Sequence, residues 1–286
     1  MTDYESFREQ LGNRVQKFVG RDAMLGYSEL YKNGGYCYEG ICLRGSQADM
    51  MPILNIQEYY QYFLEHNRNL DEVMVRVKKE LADAEHTEAD LLWRVRPFEE
   101  IRKNICLGLV HYETNRQRLK DLVHERFLDL AVVFYVAVFK EGKFYASMLI
   151  TGTLAELWGM DGRALYELAL ENAGKQPVVT IRLQANEHLP EGMFFLTNRI
   201  RCYGAACILY PGVLRSLAGK EKRDLYIIPA GIHGAALVLV GEKTDIGFLK
   251  EKAAEFLKQE RNEADWLSGH LYRYIARRDA IVEVLP

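Results

Sequence analysis

The sequence predicts an α+β chain: mainly antiparallel or mixed sheet with helices packed on it. Three observations carry this expectation. After residue 97 short apolar runs alternate with amphipathic ones, so that strand, strand, helix recurs about three times. Tight loops such as KEGK at 140–143 join neighbouring runs, and tight loops force antiparallel pairing because a parallel pair needs a crossover of a dozen or more residues. LYII (225–228) and AALVLV (235–240) are apolar at consecutive positions, the pattern of strands covered on both faces.

The elements follow in order. Residues 4–19 read as an amphipathic helix, and MLGYSELYKNGGYCYEGICLR as strand, turn, strand, with Asn33–Gly35 supplying residues that tolerate positive φ. A helix over 55–65 is crowded with Tyr59, Tyr60, Tyr62 and Phe63. Leu70, Val73, Val77 and Leu81 then fall at three- and four-residue spacing, the stripe of a surface helix. Pro97 ends this first part, so residues 1–96 are expected as an N-terminal helix–hairpin–helix unit and 97–286 as a C-terminal sheet domain. In the second part ICLGLVHY (105–112), LDLAVVFYVAVF (128–139) and FYASMLI (144–150) read as strands, and DGRALYELALENAGKQP as a helix stopped by Gly174 and Pro177. MFFLTN and GAACIL read as the next strand pair, followed by helix PGVLRSLAGK, the 224–240 pair, helix DIGFLKEKAAEFLKQE, and the closing strands LYRYIA and AIVEVL.

Composition bounds the function. With 286 residues, 49% hydrophobic and 27% charged, the chain can bury a substantial core. The 37 Lys and Arg against 40 Asp and Glu leave a net charge of −3, which gives no global attraction to phosphate backbones or anionic lipid. The N-terminus lacks a basic stretch followed by an apolar one, so a secretory signal is not expected. The longest apolar run, LAVVFYVAVF (130–139), is well short of the roughly 20 residues that span a bilayer. Five cysteines, an odd number, fit a reducing compartment better than a disulfide framework, so the cytoplasm is the expected location.

Certain stretches carry a resemblance. YKNGGYCYEGICLR, MMPILNIQEYYQYFLEH, FLDLAVVFYVAVF, LWGMDGRALYELALEN, MFFLTN, GAACILYPGVL and IIPAGIH together resemble a bacterial family known as domain of unknown function number 5688, along nearly the whole chain. The C-terminal part also looks like a second uncharacterised family with a proline and a histidine between two apolar strands. The resemblance implies the architecture and no reaction. It also marks a departure: the family pattern has two serines before the histidine and a glutamate after it, where this chain has Ala230, Gly231 and Gly234.

That histidine, His233, is the one candidate acid or base the pattern offers. An imidazole on a turn between two rigid strands titrates near neutrality. A general base needs a partner, and the sequence places no carboxylate beside it; a turn histidine bonded to backbone is the alternative. Cys37/Cys42 and Cys202/Cys207 share a five-residue separation that points to opposite faces of a strand, so no metal set is expected from them. His86 and Asp90 share a helix face, a conceivable two-ligand clip or a solvated surface. His111 and Glu113 lack the PCxxC that a zinc deaminase requires, and HERFL (124–128) lacks the second histidine of a zincin. Neither GxxxxGK[ST] nor a GxGxxG at a strand–helix junction occurs, so no cofactor is implied.

Surfaces remain. Arg94, Arg96, Arg102 and Lys103, and Arg273, Arg277 and Arg278 with Tyr272 and Tyr274, interleave cations with aromatics, a pattern that can stack bases. Interspersed Glu99, Glu100 and Asp279 weigh against nucleic acid. Tyr59 and Tyr60 offer a second contact surface, or simply pack the first part. The expected function is a non-catalytic binding or regulatory module whose partner is a protein or small molecule, the contact residues being Tyr59, Tyr60, Arg273, Tyr274 and Arg277. The rival reading is a hydrolase or proton-transfer enzyme using His233.

Overall fold

The computed structural model describes residues 3–20, 23–35, 37–45, 53–85, 97–140, 143–183, 192–241, 245–249, 251 and 265–284. His86, Asp90, Arg94, Arg96 and most of the helix expected after Asp245 lie outside them. By its internal contacts the chain divides into two units, one of residues 1–32 and 36–96, the other of 33–35 and 97–286. Among the described residues every strand pair is antiparallel, and no helix is long and apolar enough to cross a membrane.

In the first unit α1 (Asp3–Val19) is followed by the hairpin β1 (Ala23–Tyr31) and β2 (Cys37–Gly45), the short strand β3 (Leu54–Asn55), α2 (Ile56–Glu65) and α3 (Leu70–Glu85). The three strands form one sheet in the order β1-β2-β3. Asn55 caps α2, its side chain accepting from the Glu58 N–H at 3.3 Å. Phe7, Leu11 and Val15 of α1 recur every four residues and meet Ile41, Leu54, Tyr59 and the α3 stripe Leu70, Val73, Val77 and Leu81 in one buried cluster. Each such side chain contributes about 1.5–3 kcal/mol on full burial.

The second unit contains two sheets. In the first, β4 (Ile105–His111), β5 (His124–Phe127), β6 (Leu130–Lys140) and β7 (Lys143–Leu149) assemble around β6, which pairs with β4 along one edge and with β5 and then β7 along the other. β6 is buried from Leu130 to Val138, as a central strand covered on both faces must be. Helices α4 (Phe98–Ile101), α5 (Arg116–Leu119), α6 (Gly152–Leu157) and α7 (Gly162–Ala173) accompany this sheet. Asp161 caps α7, and the buried Asn172 near its end donates to the carbonyls of Arg102 and Ile105, fixing the helix to the start of β4.

The second sheet runs β13-β12-β10-β11-β9-β8, from β8 (Val178–Arg182), β9 (Met193–Asn198), β10 (Leu225–Pro229), β11 (Ala235–Leu239), β12 (Tyr272–Ile275) and β13 (Ala280–Glu283). One face gathers Met193, Tyr226, Ile228, Ala236 and Val238 under Leu249 and Leu271. The expected recurrence of strand, strand, helix is present, with one pair displaced. GAACIL is not a strand but a 3-10 turn, Gly204–Leu209, which precedes α8 (Val213–Ala218). The partner of MFFLTN is VVTIR at Val178–Arg182. An apolar run of six does not distinguish strand from buried turn, and VVTIR is an edge strand too exposed to show alternation. The 3-10 turn packs against β4, β9 and β11 and so joins the two sheets. Gly108 on β4 permits this approach, since a Cβ there would lie 3.0 Å from the Tyr203 ring.

Candidate functional site

Among the described residues the second unit holds two histidine–carboxylate groupings. The larger is built on Asp129, one of two residues in the tight turn between β5 and β6, where Phe127 pairs with Leu130. The other, Leu128, has φ +57°, a left-handed conformation that costs a branched side chain roughly 1–2 kcal/mol. The turn is held by the Tyr112 N–H, which donates to the Asp129 carbonyl at 2.9 Å.

The Asp129 carboxylate is then oriented by two buried hydroxyls. Ser268 donates to Oδ2 and Tyr272, the first residue of β12, donates to Oδ1, each at 2.6 Å. Burial first, and the bond to Asp129 second, push the Tyr272 phenol well above its ordinary range, so it stays a donor. Ser268 in turn accepts the His270 N–H at 2.9 Å. His270 presents an imidazole that is 51% exposed, with Nδ1 2.6 Å from Glu283 Oε1 on β13 and 3.5 Å from Asp129 Oδ2. Register explains the meeting, because Glu283 lies directly across from Tyr272 on the neighbouring strand. The donor atoms of Asp129, His270 and Glu283 all fall within 4.8 Å of one another, a constellation that can hold a metal ion.

His111, at the end of β4, flanks the cluster with Nε2 3.8 Å from Asp129 Oδ2. Its Nδ1 lies 3.1 Å from Thr114 Oγ1 and 3.3 Å from the Thr114 amide nitrogen, so this side of the ring is engaged by Thr114 while Nε2 faces Asp129. Burial lowers its pKa, Asp129 opposes that shift and His270 adds to it. The ring meets Trp266 edge-on at 4.6 Å.

His233 forms the second grouping. The expectation that no carboxylate stands beside it is corrected: its Nε2 lies 3.4 Å from Asp265 Oδ1. The approach is tertiary, since Asp265 is 32 residues away in sequence (265 − 233) and is brought in by the Ile232 N–H donating to its carbonyl at 2.8 Å. Nδ1 accepts the Tyr203 N–H at 3.3 Å, so both ring nitrogens are engaged, while the side chain is 43% exposed. Gly234 also has a physical reason for lacking a side chain, because a Cβ there would lie 2.3 Å from the Phe195 ring.

The remaining sequence candidates are dispersed. Tyr59 is 2% exposed, its hydroxyl donates to Glu80, and it belongs to the core of the first unit rather than to a contact surface. Tyr60 packs against Tyr4 and Phe7, both at 5.2 Å between ring centroids. Tyr274 is buried and donates to Asp279 at 2.6 Å. Arg273 makes two bonds to Asp224 Oδ2, at 3.0 and 2.7 Å, so its charge is already partnered. Arg277 is exposed in the turn between β12 and β13. All five cysteines are free; burial raises the thiols of Cys202 and Cys207 to about 11 and about 12.

Sequence reasoning did not anticipate Asp129, Ser268, His270 or Glu283. No metal set was expected, yet the fold draws three ligand types together from positions 129, 270 and 283. Their spacing matches no local motif, and only the pairing of β12 with β13 and the placement of the β5–β6 turn join them.

No curated protein and no solved structure matches the chain significantly. The model of one family, described only as a family of unknown function, matches residues 4–184 and 177–276, nearly the whole length. On that match the chain belongs to the family of unknown function DUF5688.

Proposed function

We propose that this protein is a non-catalytic binding module, and that its partner is a small cationic ligand held by Asp129, His270 and Glu283. One observation carries the reading: a half-exposed imidazole converges with two carboxylates, while the hydroxyls beside them are spent orienting Asp129. Ser268 gives its proton to Asp129 and is 1% exposed, so its Oγ is not open to a substrate. The buried thiols are held protonated by burial and are equally unsuited to attack. With Tyr59 and Tyr274 buried, a protein partner loses two of the aromatic anchors the sequence offered. Cytoplasmic residence in a bacterial cell belongs to the same proposal, supported by five unpaired cysteines.

The enzyme reading has one observation in its favour, the His233–Asp265 contact. Against it, the Nδ1 lone pair receives the Tyr203 N–H, so no free lone pair is left to take a substrate proton unless the ring turns. Both readings are tested on the full chain. Thermal-shift screening with small amines and divalent cations is expected to give stabilisation that His270→Ala and Glu283→Gln remove. Hydrolytic turnover abolished by His233→Ala, with no cation effect, would replace the binding reading with the enzymatic one.

A further inference from the structure

We infer that the cation is a borderline divalent metal, with Zn2+ the best match, bound by Asp129 Oδ2, His270 Nδ1 and Glu283 Oε1. This deepens the cationic-ligand reading and rests on it. The donor set argues the choice. One imidazole nitrogen with two carboxylate oxygens suits Zn2+ and its neighbours in the first transition row, whereas Mg2+ and Ca2+ favour all-oxygen shells.

The geometry needs little adjustment. Ligands about 2.1 Å from a tetrahedral Zn2+ stand roughly 3.4 Å apart. Nδ1 of His270 is already 3.5 Å from Asp129 Oδ2, the 2.6 Å approach to Glu283 has to open, and the Asp129 and Glu283 ligand oxygens lie within 4.8 Å of one another. Coordination through Nδ1 requires that nitrogen's proton to leave, with Nε2 carrying the one proton of the neutral ring. Two carboxylates against one neutral imidazole leave two negative charges for the dication to balance. His111 is not counted as a ligand, because its Nε2, 3.8 Å from Asp129 Oδ2, lies outside the group of ligand atoms that converge within 4.8 Å.

The surroundings resemble the outer shell of a metal site. Each Asp129 oxygen accepts one hydroxyl bond and keeps lone-pair capacity for a second contact. Donors of this kind orient a ligating carboxylate. Three protein ligands and a half-exposed imidazole leave the fourth position open to water or to a further ligand.

The test is calorimetric titration of the tag-free, chelator-treated full chain with ZnCl2, MgCl2 and CaCl2, together with putrescine as a purely organic cation. Expected is one equivalent of Zn2+ bound in preference to Mg2+ and Ca2+. Affinity should fall at least about 100-fold in His270→Ala and Glu283→Gln, and by roughly 10–100-fold in Ser268→Ala, which removes an outer-shell partner. Co2+ should give the visible absorption of a four-coordinate centre, absent in His270→Ala. Equal Zn2+ affinity in wild type and in both ligand variants, their circular dichroism unchanged, would mean binding elsewhere and overturn the assignment. Putrescine binding lost in Glu283→Gln, without Zn2+ binding, would remove the metal and leave the cationic-ligand reading standing. Binding of neither would remove both.

Discussion

Replacing Asp129 by alanine is the most informative perturbation, because one carboxylate serves two buried donors. Tyr272 and Ser268 each reach it at 2.6 Å and are almost wholly excluded from solvent. A hydrogen bond to a charged group contributes about 1.5–3 kcal/mol. Losing both bonds predicts a destabilisation of about 3–6 kcal/mol for Asp129→Ala, the sum of the two. Asp129→Asn should cost about half, since the amide oxygen still accepts from Tyr272 while its NH2 can donate to Ser268 Oγ. In a Ser268→Ala/Tyr272→Phe background the carboxylate has lost both hydroxyl bonds and keeps only the longer approaches of His270 and His111, so the same alanine substitution should cost far less or be near neutral. Urea denaturation followed by the fluorescence of Trp158 and Trp266, both in the second unit, measures these differences. A cost below about 1 kcal/mol, or costs equal in the two backgrounds within about 0.5 kcal/mol, would refute the shared-acceptor geometry.

Three further outcomes are expected. Gly204→Ala should destabilise more than Gly234→Ala: a Cβ at 204 lies 2.4 Å from the His233 carbonyl, which is backbone, whereas at 234 it meets the movable end of Phe195 at 2.3 Å. Overpacking of the second kind costs about 1–3 kcal/mol, and equal melting temperatures for the two variants would contradict the reasoning. Thiol labelling of the native protein should modify Cys37 first and spare Cys106, Cys202 and Cys207, which are buried and held protonated; mass spectrometry of the labelled peptides reads this directly. His111, whose pKa burial lowers, contributes stability that is present above the unfolded value of about 6.5 and is lost as pH falls below it, because the unfolded chain takes up the proton first. The drop in urea midpoint from pH 7.5 to 5.5 should therefore be smaller in His111→Gln than in wild type, and an equal or larger drop would rule the effect out.

Local pattern was readable wherever one face of an element had to be apolar. The α3 stripe Leu70, Val73, Val77 and Leu81 is buried as its spacing requires, and the NGG turn closes the β1–β2 hairpin with Gly34 and Gly35 both at φ +81°. LYII and AALVLV are covered on both faces, as their unbroken apolar character implied. The edge strands were harder. HERF (His124–Phe127) and VVTIR present polar or half-exposed side chains with no alternation, so a single strand carries too little signal to distinguish it from a loop. The arginine and tyrosine clusters were legible as residues but not as partners, since whether Arg273 meets a ligand or Asp224 depends on which strand lies beside it.

The sequence by itself determined the class of fold and the antiparallel habit, because periodicity, turn residues and unbroken apolar runs act over a few neighbouring positions; the family came from likeness along nearly the whole chain. The tertiary structure alone decided the site. Asp129, His270 and Glu283 are far apart or irregularly spaced along the chain, and strand register brings their side chains together. It decided the surroundings of His233 in the same way, supplying Asp265 from a distant segment and closing Nδ1 with the Tyr203 amide. The physical reason is common to both: a ligand set or an acid–base pair is a property of distances in space, and a chain fixes those only when its sheets have chosen their neighbours.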